Sequence, residues 1–194
     1  MSVLIVVDTE TTSKYPGSAK ILAAAAVVIR DGVIQPERFS TMSNPGLEAL
    51  DGWDAKEALA VNGITREEVA AAPPEDEARE KFKEFLKKYE GAELTSFNTH
   101  YDKNVLNNNG WLPDGIVWSK CIMLEATRVM GDAGALPLAQ WKNEYKWASL
   151  KAAAEFFGIE RGRSHSALDD ALTAAGIWIS LKIAEKGRGG AYHV

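Results

Sequence analysis

Four aliphatic residues followed by two carboxylates, in the run LIVVDTETTS at positions 4–13, set the first pattern along the chain. The aliphatic part predicts a buried β-strand. Side chains alternate across a strand, so Asp8 and Glu10 project to the same side, next to an apolar wall. Next, KILAAAAVVIRDGVIQPERFSTM reads as two extended runs joined at Asp31-Gly32, a dipeptide that accepts the positive φ angles of a tight hairpin. Residues 2–42 are thus expected to form a three-stranded antiparallel meander. The following NPGLEALDGWDAKEALAVNGITREEVAAAPP is punctuated by Gly and Pro and predicts short helices in a connecting region.

From Pro74 onward the periodicity becomes helical. Glu75, Asp76 and Glu77 open a helix, Ala78, Phe82, Phe85, Leu86 and Tyr89 form one apolar stripe, and Lys87, Lys88 and Gly91 close it. AELTSF then reads as a strand, NTHYDKNVLNN as a short helix, GIVWSKCIML as a strand running towards another helix, and 148–157 and 167–185 as two further helices. Three strands, then alternating helix and strand, then helices, predict an α/β layer around a mixed central sheet. A ribonuclease H-like fold fits that order, and on pattern alone so does an α/β sheet of another topology. The domain is expected to span 1–187, with 188–194 as a flexible tail.

Composition narrows the function. A 194-residue chain with 46% apolar and 25% charged residues is ordinary for one globular domain. The longest strand-like apolar run, ILAAAAVVI, stops at Arg30, well short of the roughly 18 residues that cross a bilayer. With no leader-like N-terminus either, a cytoplasmic location without membrane attachment is expected. A net charge of −5 argues against a broad basic surface for duplex nucleic acid, but not against a small channel, because bound cations reverse the local field. The lone Cys121 reads as a core residue.

The acidic positions are the ones that stand out. In RGRSHSALDDALTAAGIWISLKIAEKG, Ser166 followed by Asp169 resembles a capping box, with Gly187 past the far end. Asp170 instead heads the apolar column Ala174, Ile177, Leu181 and Ala184, where a carboxylate is costly unless compensated. Asp102 repeats the situation, sharing a face with Val105 and Leu106 on a helix expected to begin at Asn98. Asp8, Glu10, Asp102 and Asp170 are therefore four carboxylates at the edge of apolar structure. Four such anions brought together call for roughly two divalent cations, and an all-oxygen ligand set suits Mg²⁺ or Mn²⁺.

The segments DTETT, NTHYD and HSALDDA resemble the three motifs of the DEDDh family of 3′-5′ exonucleases, which includes polymerase proofreading subunits and ribonuclease T. The resemblance extends over roughly residues 3–185. It implies a ribonuclease H-like fold, single-stranded DNA or RNA 3′ ends as substrate, release of nucleotides one at a time, and a polymerase as one kind of partner. It also implies that Asp8, Glu10, Asp102 and Asp170 hold two metal ions and that His165 acts as general base. The five-residue step from His165 to Asp170 favours Asp170 over Asp169. Two departures, Ser96-Phe97-Asn98 for the more usual Ala-His-Asn and Tyr101 for Phe, bear on substrate preference rather than on ligands.

Around these, Thr11 and Thr12 are candidates for the terminal sugar, Asn98 for the scissile strand, Phe97 and Tyr101 for base stacking, and Arg161 and Arg163 for phosphates. Each has an ordinary alternative: an N-cap for Asn98, core packing for Phe97 and Tyr101, solvated charge for the arginines. His100, His193, Trp141 and Trp147 are read as surface or packing residues. Two rival functions remain open at this point: a non-catalytic nucleic-acid or polymerase-binding module, and an endonuclease or other metal-dependent phosphohydrolase.

Overall fold

The computed structural model describes residues 3–139, 144–163 and 165–189, with the side chains of 186–189 excepted. Trp141, His193 and most of the expected tail lie outside the described residues. A five-stranded mixed sheet in the order β3-β2-β1-β4-β5 forms the centre. Strands β1 (Val3–Thr11), β2 (Ile21–Arg30) and β3 (Val33–Met42) make the predicted antiparallel meander. Asp31 and Gly32 both have positive φ at its hairpin, 51° and 82°. Strands β4 (Glu93–Thr95) and β5 (Val117–Trp118) add in parallel on the other edge of β1.

Helices cover both faces, and the strand alternation decides which residues meet them. Leu4 and Val6 of β1, with Ala23, Ala25, Val27 and Ile29 of β2, face α5 (Ile122–Asp132), α6 (Leu150–Phe157) and α7 (Ala167–Gly189). Ile5 and Val7, with Ala24, Ala26 and Val28, face α3 (Glu75–Lys87) and α4 (Thr99–Asn108). Double-sided burial explains why β2 can be alanine-rich, although alanine is a poor strand former. The connecting region holds α1 (Trp53–Asn62) and α2 (Arg66–Ala71), and α2 opens with a complete Thr65–Glu68 capping box.

Two boundaries differ from expectation. The stretch after Gly115 is extended only at Val117–Trp118, and Ile122, Met123 and Leu124 already belong to α5, whose buried side is the Ile122, Ala126, Val129, Met130 stripe. Helix α7 runs past Gly187 to Gly189, because a single glycine late in a helix weakens it without ending it. Asp169 does have a structural task, through a different partner: its Oδ2 accepts from the backbone N–H of Arg163 at 3.1 Å.

The α3 stripe behaves as its spacing predicts. Phe82 is fully buried between Phe39 and Trp111, with ring centroids 5.6 and 5.7 Å away. Phe82→Ala is expected to cost about 3–5 kcal/mol of unfolding free energy, the range for truncating a packed aromatic. Urea denaturation measures it; a loss below 1 kcal/mol would mean that this layer is not tightly packed.

Candidate active site

Strand β1 outlasts its parallel neighbour. Its pairing with β4 ends at Val6–Thr95, so Asp8 to Thr11 extend beyond the end of β4, beside the turn that leads into α4. Such crevices at the carboxyl ends of parallel strands are where open α/β sheets collect functional groups. Asp8 and Glu10 continue the Leu4–Val6 side of the strand, under α7. Across β2 they pair with Ala25 and Ala23, whose small side chains leave space above them. A register shift between Glu10 and Thr11 marks a bulge at which the strand turns into the loop that follows.

Asp102 and Asp170 arrive from opposite faces. Asp102 lies in the first turn of α4 and is 4% exposed, and its Oδ1 accepts from Thr9 Oγ1 at 2.8 Å, which joins the helix to β1. Asp170 lies in the first turn of α7 at 9% exposure, at the head of the column in which Ala174, Ile177 and Leu181 are buried. Its Oδ2 accepts from the backbone N–H of His165 at 3.2 Å, and its Oδ1 lies 3.5 Å from Arg161 Nη2. His165 itself is exposed and adopts a left-handed backbone with φ 59°, unusual for a residue with a Cβ. Side-chain ligand atoms of Glu10, His165 and Asp170 lie within 4.8 Å of one another.

The electrostatics record how close these groups are. Burial, then Asp102, Glu10 and Asp170, pushes Asp8 well above the usual carboxylate range. Glu10 is pushed up to about 7 by burial and then by Asp170 and Asp102. Burial raises Asp102 to about 6, with the Ser96 and Thr9 hydroxyls pulling the other way. Asp170 is raised by burial, tempered by the His165 N–H and by Arg161. Desolvation and like charge both favour the protonated carboxyls, and a bound cation would reverse both effects. The four carboxylates are hard oxygen donors, a set that fits a hard divalent ion, and the His165 imidazole stands beside them.

A pocket of about 580 Å³ adjoins Glu10. It is lined by Thr9, Thr11 and Ser13 of β1 and its loop, by Glu57, Val61 and Asn62 of α1, and by Tyr101. The Tyr101 hydroxyl bonds the Ser13 carbonyl and lies 2.5 Å from Thr11 Oγ1. Thr12 is used within the loop, where its Oγ1 accepts from Lys20 N at 2.9 Å. Asn98 occupies the N-cap position of α4, yet its side chain makes no capping bond. Phe97 packs against the α5–α7 core, and Arg163 is exposed. Arg161, read from sequence as solvated or phosphate-binding, has a side chain only 22% exposed. Trp147 is exposed, and Cys121 is half-buried with its Sγ on the Phe97 carbonyl.

The contribution of α1 was not legible in the sequence. Nothing in ALAVNGI marks its residues as a pocket wall, because that role depends on how the connecting region folds back over β1. One local signal exists: Asn62 Oδ1 accepts from Ile64 N at 3.0 Å, an Asx turn typical of Asn-Gly, which buries Asn62 against Thr11.

Comparison with known proteins agrees with this geometry. The exonuclease family model matches residues 5–178. The PolC-type DNA polymerase III proteins of Thermotoga petrophila and Thermotoga maritima are each 28% identical over 176 residues, which is 90% of this chain and 11% of theirs. The chain thus spans about a ninth of the length of these relatives. Among solved structures, E. coli exonuclease I in complex with a dT13 oligonucleotide superposes with a TM-score of 0.76 at 16% identity, covering 98% of this chain and 43% of that one. Cell-death related nuclease 4 superposes with a TM-score of 0.66 at 18% identity, covering 96% and 65%. The three acidic motifs and all five strands apart from the first residues of β1 fall within the matched span, and the chain belongs to the exonuclease family.

Proposed function

We propose that this protein removes nucleoside monophosphates one at a time from the 3′ end of single-stranded DNA or RNA, using two divalent cations, Mg²⁺ or Mn²⁺. The observation that carries this reading is the meeting of four carboxylates from three separate motifs at one end of β1, each with its proton affinity raised. Asp8, Glu10, Asp102 and Asp170 would hold the cations. When bound, these supply charge relief at the phosphoryl oxygens and at the attacking and leaving oxygens.

The remaining work falls to the protein. His165 takes a proton from the attacking water; it suits the task because imidazole titrates near neutrality and its ring stands beside Glu10 and Asp170 on the exposed side. The pocket between β1 and α1 seats the terminal nucleotide, with Thr11 and Tyr101 among its lining residues, and Asn98 at the start of α4 contacts the scissile strand. A pocket closed on one side by α1 favours an end over an internal segment, which sets this reading apart from an endonuclease. The DNA-bound exonuclease I structure supports a single-stranded substrate by analogy. Kinship with PolC-type polymerases supports a replicative polymerase as partner. Among the described residues no helix is long and apolar enough to cross a membrane, in keeping with a cytoplasmic site of action.

Three outcomes test the proposal. A labelled single strand with Mg²⁺ should shorten from its 3′ end as a ladder that EDTA abolishes, and a circular strand should survive; cutting of the circle would make the enzyme an endonuclease. His165→Ala should lower kcat by about 10²–10⁴-fold while Mn²⁺ affinity stays within twofold, so unchanged turnover removes the base assignment.

The third concerns pH. Because Glu10 titrates near 7 when folded and near 4.5 otherwise, the metal-free folded state binds the extra protons. The stability they confer is complete below about pH 4.5 and disappears as the pH rises through about 7. Glu10→Gln should flatten that slope and raise the metal-free melting temperature at pH 8 by about 2–4 °C. An unaltered slope, followed by calorimetry, would show that Glu10 does not share the anionic cluster.

A further inference from the structure

The mechanism assigns no task to Arg161. Its guanidinium is largely buried, with Nη2 3.5 Å from Asp170 Oδ1, while its Nε is buried and finds no hydrogen-bond partner among the described residues. A buried cation with one loose contact and one unmet donor is an expensive arrangement unless the field around it is strongly negative. That field is present, since carboxylate oxygens of Asp170 and Glu10 lie within 4.8 Å of one another and Asp8 and Asp102 stand close enough to act on Glu10 or on each other.

We infer that Arg161 is a built-in counter-ion of the metal-free site: its guanidinium partly neutralises Asp170 and thereby opposes cation binding there. The inference rests on the reading of the four acids as metal ligands. Three features fit it. The contact is long and not bidentate, so it neutralises without locking. Asp170 also receives the His165 N–H on its other oxygen, so its orientation does not depend on Arg161 alone. Arg161 precedes a loop fixed to α7 by the Arg163–Asp169 bond, which keeps the guanidinium near the carboxylate. Gly162 permits that approach, since a Cβ there would stand 2.6 Å from Asp169 Cγ.

The consequence has an unusual sign: loss of a positive charge beside the site should improve cation uptake. Mn²⁺ binding to the full chain without nucleic acid, followed by calorimetry or by the free-ion electron paramagnetic resonance signal, is expected to tighten about tenfold in Arg161→Met, the order of effect for one unit charge a few ångströms away at a partly solvated site. Arg161→Lys keeps the charge and is expected to remain within about twofold of the parent. If Arg161→Met does not fold, Arg161→Gln carries the same expectation. Unchanged or weaker Mn²⁺ affinity in the neutral variant overturns the inference, because Arg161 would then be a positioning residue for Asp170. Equal tightening in the lysine variant also overturns it, because charge would not be the cause. An absence of Mn²⁺ uptake in the parent protein would instead defeat the metal reading itself.

Discussion

Mutual repulsion among Asp8, Glu10, Asp102 and Asp170 is the constraint to which the rest of the architecture answers. Holding like charges together in a half-dry crevice is unfavourable, and a flexible scaffold would relax by letting them part. Here each is borne by an element buried along its length. Asp8 and Glu10 extend a strand paired on both sides, Asp102 begins a helix whose Val105 and Leu106 are fully buried, and Asp170 heads a helix that lies across β1 and β2. The repulsion is thus sustained by the core, and it is a strain that a bound cation would relieve.

The small residues of β2 belong to the same design. Ala23 and Ala25 pair with Glu10 and Asp8 and face α7, which answers with Ala167, Ala171, Ala174 and Ala175. Alanine against alanine brings helix and sheet close, so the first turn of α7 delivers Asp170 beside the carboxylates of β1. Larger side chains at these positions would lift α7 and its acid away from the partners it must meet.

Much of this was readable in advance, for identifiable reasons. Period-two alternation placed Asp8 and Glu10 on one side, and the 3.6-residue column of Ala174, Ile177 and Leu181 distinguished Asp170 from Asp169, because both inferences need only local geometry. The pocket wall supplied by α1 and the burial of Arg161 depend on how distant segments fold against one another, and no periodicity encodes that. Tyr101 shows the boundary between the two. The sequence offered it as a stacking platform or a core residue, and only the fold reveals that its hydroxyl ties α4 to the Thr11–Ser13 segment. Phe97, paired with it in the sequence reading as stacking platform or core residue, is half-buried against the core between the sheet and α5–α7.

The geometry also bears on how an acidic protein engages a polyanion. With a net charge of −5 the protein as a whole repels a polyanion, and the Arg161 guanidinium is turned towards Asp170. With two cations bound as proposed, attraction would begin at the site, and the terminal nucleotide would be held by contacts in a confined pocket more than by a long basic track. Binding of that kind is local: it reads an end, gains little from the strand beyond it, and depends on salt less steeply than binding along many phosphates.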